Sequence, residues 1–236
     1  MKHVIGLSGG KDSTAMALRL LEVEPREYTL VCTPTGDELP EMMEHWRKLE
    51  GIFGQEIVRV DPGYTLKTLI EKMKMLPNWR ARFCTRMLKI APYEYWISNQ
   101  LPAVSYIGLR ADEDGRSGYE SCFDDGQLTI RYPLREWSWG VDDVLTYLDE
   151  RCVSIPARTD CARCPLQTLG EWRRLWEKHP DIYEDACQDE DIIGHTYRSP
   201  GRDTWPASLR KLAKEFSSGR KILHRQRKTV CRACSL

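Results

Sequence analysis

No stretch of this 236-residue chain stays apolar for anything near the ~18 residues that cross a bilayer, so nothing in it reads as a membrane span. The sequence has no internal repeat and no low-complexity segment. The opening Met1-Lys2-His3 is followed by neither a signal-peptide h-region nor a small-residue cleavage site. It reads as the start of a first strand, and the expected compartment is the cytoplasm. A reducing cytoplasm leaves the nine cysteines little use as disulfides, so they read as metal ligands, reactive thiols or core residues. Net charge is also missing, at +0, but this hides a split. Residues 196–236 hold eleven Lys and Arg against Asp203 and Glu215, a net +9 that leaves −9 on the first 195. A basic tail of this kind suits a polyanionic partner, nucleic acid or the phosphates of a nucleotide; a solvated charged helix face is the plainer alternative.

What is present is an ordinary soluble composition, 41% hydrophobic, enough to bury a core. Apolar periodicity places strands at 3–7, 28–33, 56–60 and 104–109, and helices at 14–21, 41–49 and 65–75. That βαβα order predicts an α/β fold, a doubly wound parallel sheet with helices on both faces. After Tyr132 the pattern changes. Helices are expected at 141–148, 169–178, 181–190 and 207–216, and residues 151–166, rich in Cys, Pro and Arg, read as a knuckle. A soft boundary near Arg135 divides a nucleotide-binding α/β domain, 1–135, from a helical Cys-rich region with the basic tail, 136–236.

Ser8-Gly9-Gly10-Lys11-Asp12-Ser13 sits between a strand and a helix. Two glycines let backbone approach a phosphate, and the helix behind them offers free N–H groups and the positive end of its dipole. Lys11 adds a charge, and Ser8 and Ser13 add hydroxyls. This is not the longer loop with Gly-Lys-Ser/Thr that cradles β and γ phosphates.

The six-residue loop resembles the signature of the ATP pyrophosphatases with an adenine-nucleotide alpha-hydrolase fold. Further segments narrow the resemblance to the phosphoadenosine phosphosulfate reductase-like branch: Thr35-Gly36-Asp37-Glu38-Leu39-Pro40-Glu41, Cys84-Thr85-Arg86-Met87-Leu88-Lys89-Ile90-Ala91-Pro92, Ile107-Gly108-Leu109-Arg110-Ala111-Asp112-Glu113, and Tyr132-Pro133-Leu134 with Trp137 and Val144. The resemblance covers about residues 1–190. It implies ATP and Mg²⁺ as cofactors, with the nucleotide held by residues 8–13, Thr35, Gly36, Asp37, Glu38 and Gly108. Lys11, Asp12 and Arg110 are the expected catalytic residues, Arg110 stabilising developing phosphate charge. Asp12, Asp37 or Glu38 would supply hard oxygen ligands to Mg²⁺. Arg80, Arg82, Arg86 and Lys89 either face a second substrate or form a solvated helix face. True sulfonucleotide reductases lack the Lys-Asp pair and carry a Glu-Cys-Gly-type C-terminal motif. This chain keeps Lys11 and Asp12 and has Cys231-Arg232-Ala233-Cys234 near its end, a departure that favours ATP cleavage.

Cys161-Ala162-Arg163-Cys164-Pro165 has the spacing with which two thiolates grip one metal, and Cys152 lies nine residues earlier. The three together are similar to the cluster-binding region of the DNA-phosphorothioation sulfur-transfer member of the family. A fourth cysteine is absent from residues 166–172, which leaves Cys84, Cys187, Cys231 or Cys234 as the remaining ligand, or none. An iron–sulfur cluster and a structural zinc both suit such thiolates. Two functions follow as expectations. One is an adenylating enzyme that releases AMP and pyrophosphate for sulfur transfer to a nucleic acid or nucleotide, served by a sulfur-donor protein. The other is a reductase whose tail cysteine attacks a sulfonucleotide. A binding module without catalysis is the third.

Overall fold

The computed structural model describes residues 1–113, 115, 116, 118 and 126–222. Along the chain run β1 (Lys2–Gly6), α1 (Lys11–Val23), β2 (Thr29–Cys32), α2 (Pro40–Phe53), β3 (Val58–Arg59) and α3 (Leu66–Met73). Then come α4 (Phe83–Thr85), a π-helical stretch Arg86–Ile90, α5 (Ala91–Ser98), β4 (Ala103–Tyr106) and β5 (Leu128–Arg131). The last part holds α6 (Pro133–Glu136), α7 (Val141–Glu150), α8 (Leu169–Lys178), α9 (Pro180–Ile193) and α10 (Leu209–Ser217).

The five strands form one sheet in the order β3-β2-β1-β4-β5, and every pairing is parallel. The expected doubly wound α/β architecture is therefore observed. β1 is central, and its Val4 and Ile5 are fully buried, as a strand covered on both faces requires. The order of strands reverses between β1 and β4. At such a switch point the loops leaving two neighbouring strands diverge and open a crevice at their carboxyl ends. The loop after β1 is residues 8–13, and the loop after β4 carries Gly108 and Arg110.

One core joins the sheet to α1, α2 and α7 through Ile5, Leu20, Met42, Trp46, Val144 and Leu148. A second unites Leu39, Leu66, Leu69 and Ile70 with Trp172, Tyr183, Tyr197 and Leu212, so the C-terminal helices pack onto α3. Both cores contain residues from either side of Arg135.

Two stretches depart from the periodicity reading. Residues 83–98 are helical throughout, with a π turn at Arg86–Ile90 just before Pro92, whose missing N–H breaks the regular ladder inside this continuous helix. β5 is an edge strand of four residues, too short to register as a pattern. β4 also ends at Tyr106, three residues early. Gly108 must leave the strand because it passes against the start of α1; a Cβ there would stand 3.0 Å from both Cα and N of Ser13.

Candidate nucleotide and thiol site

The loop after β1 is held from behind by α2. Trp46 Nε1 donates to the Ser8 carbonyl at 3.0 Å, and His45 Nε2 lies 3.0 Å from the Gly9 carbonyl. A carbonyl only accepts, so His45 carries its proton on Nε2; burial lowers its pKa and keeps the ring neutral. Gly9 has φ +84, and a Cβ on it would collide with Met42 Cε and stand 2.9 Å from Trp46 Nε1. Only glycine fits. Ser8 and Ser13 hydroxyls lie 3.0 Å apart, and Ser13 Oγ donates to the Gly10 carbonyl at 3.1 Å. α1 begins at Lys11 behind an extended Gly10, with no side chain capping it. Its first-turn N–H groups are thus left for a ligand, and the helix dipole favours an anionic one.

Arg110 is 1% exposed, and Nη1 donates to Asp12 Oδ2 at 2.8 Å while Nε donates to Asp112 Oδ1 at 2.8 Å. Its guanidinium thus joins Asp12 to Asp112 across the start of α1. Lys11 Nζ also reaches Asp12 Oδ2, at 3.2 Å. Asp12 Oδ1 is buried and accepts no hydrogen bond, an orphaned oxygen of the hard type a magnesium ion takes.

The second motif folds onto the cysteine knuckle. Thr35 donates through both N and Oγ1 to Glu38 Oε1, each at 2.7 Å. Asp37 is buried against the thiol turn. Its carbonyl accepts from Ala162 N at 2.7 Å, its Oδ2 from Arg163 N at 2.9 Å, and its Oδ1 lies 3.2 Å from Arg163 Nη1. Both of its carboxylate oxygens are thus engaged by Arg163 in this structure. Burial, opposed by Arg163, raises its pKa to about 6. Arg163 extends the network to Asp185 and to Asp189, and Lys67 Nζ binds the same two carboxylates at 2.6 and 2.9 Å. The thiol turn is therefore clamped between the tip of β2 and α9.

Cys84, Cys161 and Cys164 line one recess together with Thr35, Arg82 and Lys89. Its cavity volume is small, about 30 Å³. A hydrogen bond between the paired thiols holds Cys161 well above the usual thiol range and draws Cys164 down, so Cys164 ionises first. Burial pushes Cys84 up. Cys152 lies elsewhere: it is exposed, just after α7, at a left-handed φ of 54. Cys187 is buried within α9 and Cys32 within β2, and burial pushes both up to about 12. Cys122, Cys231, Cys234 and the far end of the basic tail lie outside the described residues. Among the described residues, no three His, Cys, Asp or Glu side chains close around a single metal ion. A tetrahedral zinc at ~2.3 Å from each sulfur would need thiolates about 3.8 Å apart. Cys161 and Cys164 are hydrogen-bonded and so lie close enough for one metal ion, and with Cys84 they offer three soft thiolate donors of the kind that zinc and iron–sulfur clusters both take.

Pairing of Cys84 with the Cys161–Cys164 turn had no local signal, because 77 residues separate Cys84 from Cys161. Cys84 is one of the four candidates for the remaining ligand, and the fold places it beside Cys161 and Cys164.

Residues 2–158 match the model of the phosphoadenosine phosphosulfate reductase domain. The uncharacterized protein MJ0066 of Methanocaldococcus jannaschii is 22% identical over 196 residues, which cover 77% of this chain and 40% of that protein. The chain thus spans well under half the length of this curated relative. Among solved structures, U34-tRNA thiolase NcsA from Methanococcus maripaludis with its [4Fe-4S] cluster aligns with a TM-score of 0.51 at 18% identity, over 97% of this chain and 84% of that one. The phosphoadenylyl-sulfate reductase of Candida auris, in a phosphate complex, gives 0.48 at 13% identity, over 66% and 75%. The chain belongs to the phosphoadenosine phosphosulfate reductase domain family.

Proposed function

We propose that this chain is an ATP pyrophosphatase-type enzyme, adenylating an oxygen of a nucleic acid or nucleotide so that sulfur can replace it. The observation that carries this reading is the recess itself. Three thiols meet there beside Thr35, and the motif containing Thr35 is bonded directly to the thiol turn through Asp37.

ATP would lie with its phosphates on the amides of residues 9–13, Lys11 supplying charge and Asp12 Oδ1 an oxygen for Mg²⁺. The acceptor's carbonyl oxygen attacks the α phosphorus, the bond to the β phosphate breaks, and pyrophosphate leaves with the electron pair. Hydrosulfide from a sulfur-donor protein then adds to the activated carbon, the C–O bond breaks so that AMP departs with the oxygen and its electron pair, and the S–H proton passes to water to leave a thiocarbonyl. Cys84, Cys161 and Cys164 would hold an iron–sulfur cluster, which supplies iron able to bind sulfide. Arg82 and Lys89 offset the negative charge of the thiolates and attract an anionic acceptor. The net +9 of residues 196–236 serves the same attraction. Part of it is already committed, since Arg210 is tied to Glu184 and Asp191 at 2.9 and 2.6 Å.

The family also contains reductases, which need no ATP. The two readings separate when protein prepared without oxygen is given bulk tRNA or DNA, sulfide and Mg²⁺, with and without ATP, and the nucleosides are analysed by mass. Sulfur incorporation that requires ATP is the expected result. Reduction of a sulfonucleotide without ATP would replace this reading with the other.

A further inference from the structure

A second recess, of about 490 Å³, opens between α2, residues 154–158 and α8, apart from the nucleotide loop and the thiols themselves. This volume falls in the range of small-molecule sites, roughly 300–1,000 Å³. Its walls are of two kinds. Leu39, Ile155, Pro156 and Leu175 are apolar, while Lys48, Arg158, Arg174 and Lys178 bring positive charge.

The acids at its rim are already engaged. Glu44 pairs with Lys48 at 2.7 Å, and Glu41 with His179 at 2.8 Å. Glu171 spends Oε2 on the N-terminus of its own helix, accepting from Thr168 N and Oγ1. The cations Arg174 and Lys178, four apart on α8, form no ion pair among the described residues. Like charges at that spacing repel, an arrangement that an anion between them relieves.

The deepest cation gives the independent sign. Arg158 is 8% exposed, yet its Nε and Nη1 donate to no partner. Its nearest carboxylate oxygen, Glu171 Oε1, stands 3.6 Å from Nη1, beyond hydrogen-bonding reach. A buried guanidinium whose Nε and Nη1 make no hydrogen bond, and whose ion pair with Glu171 is loose, has donors left for a ligand, and its planar fork matches a phosphate.

We propose that this recess is a ligand site for a phosphate-bearing organic anion of up to about nucleotide size. The apolar wall takes the organic body, and Arg158, Arg174 and Lys178 take the phosphate. The site is also placed to be felt elsewhere. Arg158 Nη2 donates to the Cys161 carbonyl at 2.7 Å, and His45, in the same wall, bonds the Gly9 carbonyl at 3.0 Å. An occupant therefore touches the residues that fasten both the thiol turn and the nucleotide loop from behind.

Hydrogen exchange of the full chain, with phenyl phosphate as the probe and phenol and inorganic phosphate as controls, tests this. Phenyl phosphate should slow exchange at 154–158 and 171–179, at concentrations where neither control does. The surface double variant Arg174→Glu with Lys178→Glu should weaken that protection about tenfold or more, as loss of charged hydrogen bonds implies. Arg158→Gln should do the same, and the surface pair keeps the test decisive if this buried variant does not fold. A 5′-phosphorylated trinucleotide that displaces phenyl phosphate would identify the anion as a nucleic-acid end; failure to displace it would exclude one. Protection confined to residues 8–13, or protection at 154–179 that survives the double variant, overturns the proposal. Neither outcome depends on whether the chain cleaves ATP.

Discussion

Asp37 and Arg163 form a buried ion pair, Oδ1 to Nη1 at 3.2 Å, and Asp37 Oδ2 also accepts from the Arg163 amide at 2.9 Å. One side chain thus joins the end of β2 to the turn that carries Cys161 and Cys164. Removing one partner of a buried pair costs up to roughly 3–5 kcal/mol, and less here because Arg163 keeps Asp185 and Asp189 as partners. Asp37→Ala should therefore lower the denaturation midpoint and, in protein prepared anaerobically, lower iron content as well. Unchanged iron at a reduced midpoint would mean that the turn does not need Asp37 to bind metal.

Gly9 has no room for a side chain, since a Cβ there would press on Met42 and lie 2.9 Å from Trp46 Nε1. Its φ of +84 adds strain for any other residue. Gly9→Ala should weaken ATP binding, measured calorimetrically, by more than its effect on global stability, since the loop would shift away from α2. Wild-type affinity in this variant would mean that the loop does not hold the phosphates.

Two buried acids set an unusual pH dependence. Burial raises Asp37 to about 6 and Glu190 to about 7. Both folded values lie above the unfolded ones, so the folded state binds more protons between about pH 4 and 7. Stability consequently falls as pH rises through that window. For Glu190 the shift corresponds to about 3 kcal/mol, at 1.36 kcal/mol per unit. Urea midpoints across pH 4.5–8 should decline in the wild type and decline less in Glu190→Gln. That variant should also be weaker overall, because Glu190 accepts from Tyr197 N and Leu209 N at 3.0 and 2.7 Å, and an amide has only one acceptor oxygen. A parallel decline in both proteins would remove Glu190 as the cause.

The thiols divide by position. Cys84→Ser, Cys161→Ser and Cys164→Ser should each abolish absorbance near ~400 nm in anaerobic protein, an expectation from iron–sulfur chemistry generally, whereas Cys152→Ser should keep it. Loss of the colour in Cys152→Ser with retention in Cys84→Ser would restore the set suggested by spacing. Colourless protein holding one zinc per chain would leave these cysteines a structural role.

The sheet and the phosphate loop were legible because both are local. Strand, glycine loop and helix follow one another within 23 residues, and apolar runs mark the central strands. The functional assignment of single charges was less legible. Asp37, 126 residues before Arg163, looks like any loop acid until the fold joins them. Arg110 carries a motif's charge, but burial and three neighbouring carboxylates, Asp12, Asp112 and Glu113, turn it inward. Cys152 shares a short sequence interval with Cys161, but the left-handed turn that ends α7 leaves it exposed away from the recess. Sequence spacing reports thiols that neighbour along the chain, and the recess is assembled across it.

The central claim is that ATP is cut at its α phosphate, and the products decide it. Protein incubated with ATP, Mg²⁺ and bulk tRNA should release AMP and pyrophosphate in equal amounts, and Lys11→Ala should slow that release by about tenfold or more, in keeping with the loss of a charged hydrogen bond. ADP and inorganic phosphate as the only products would contradict it.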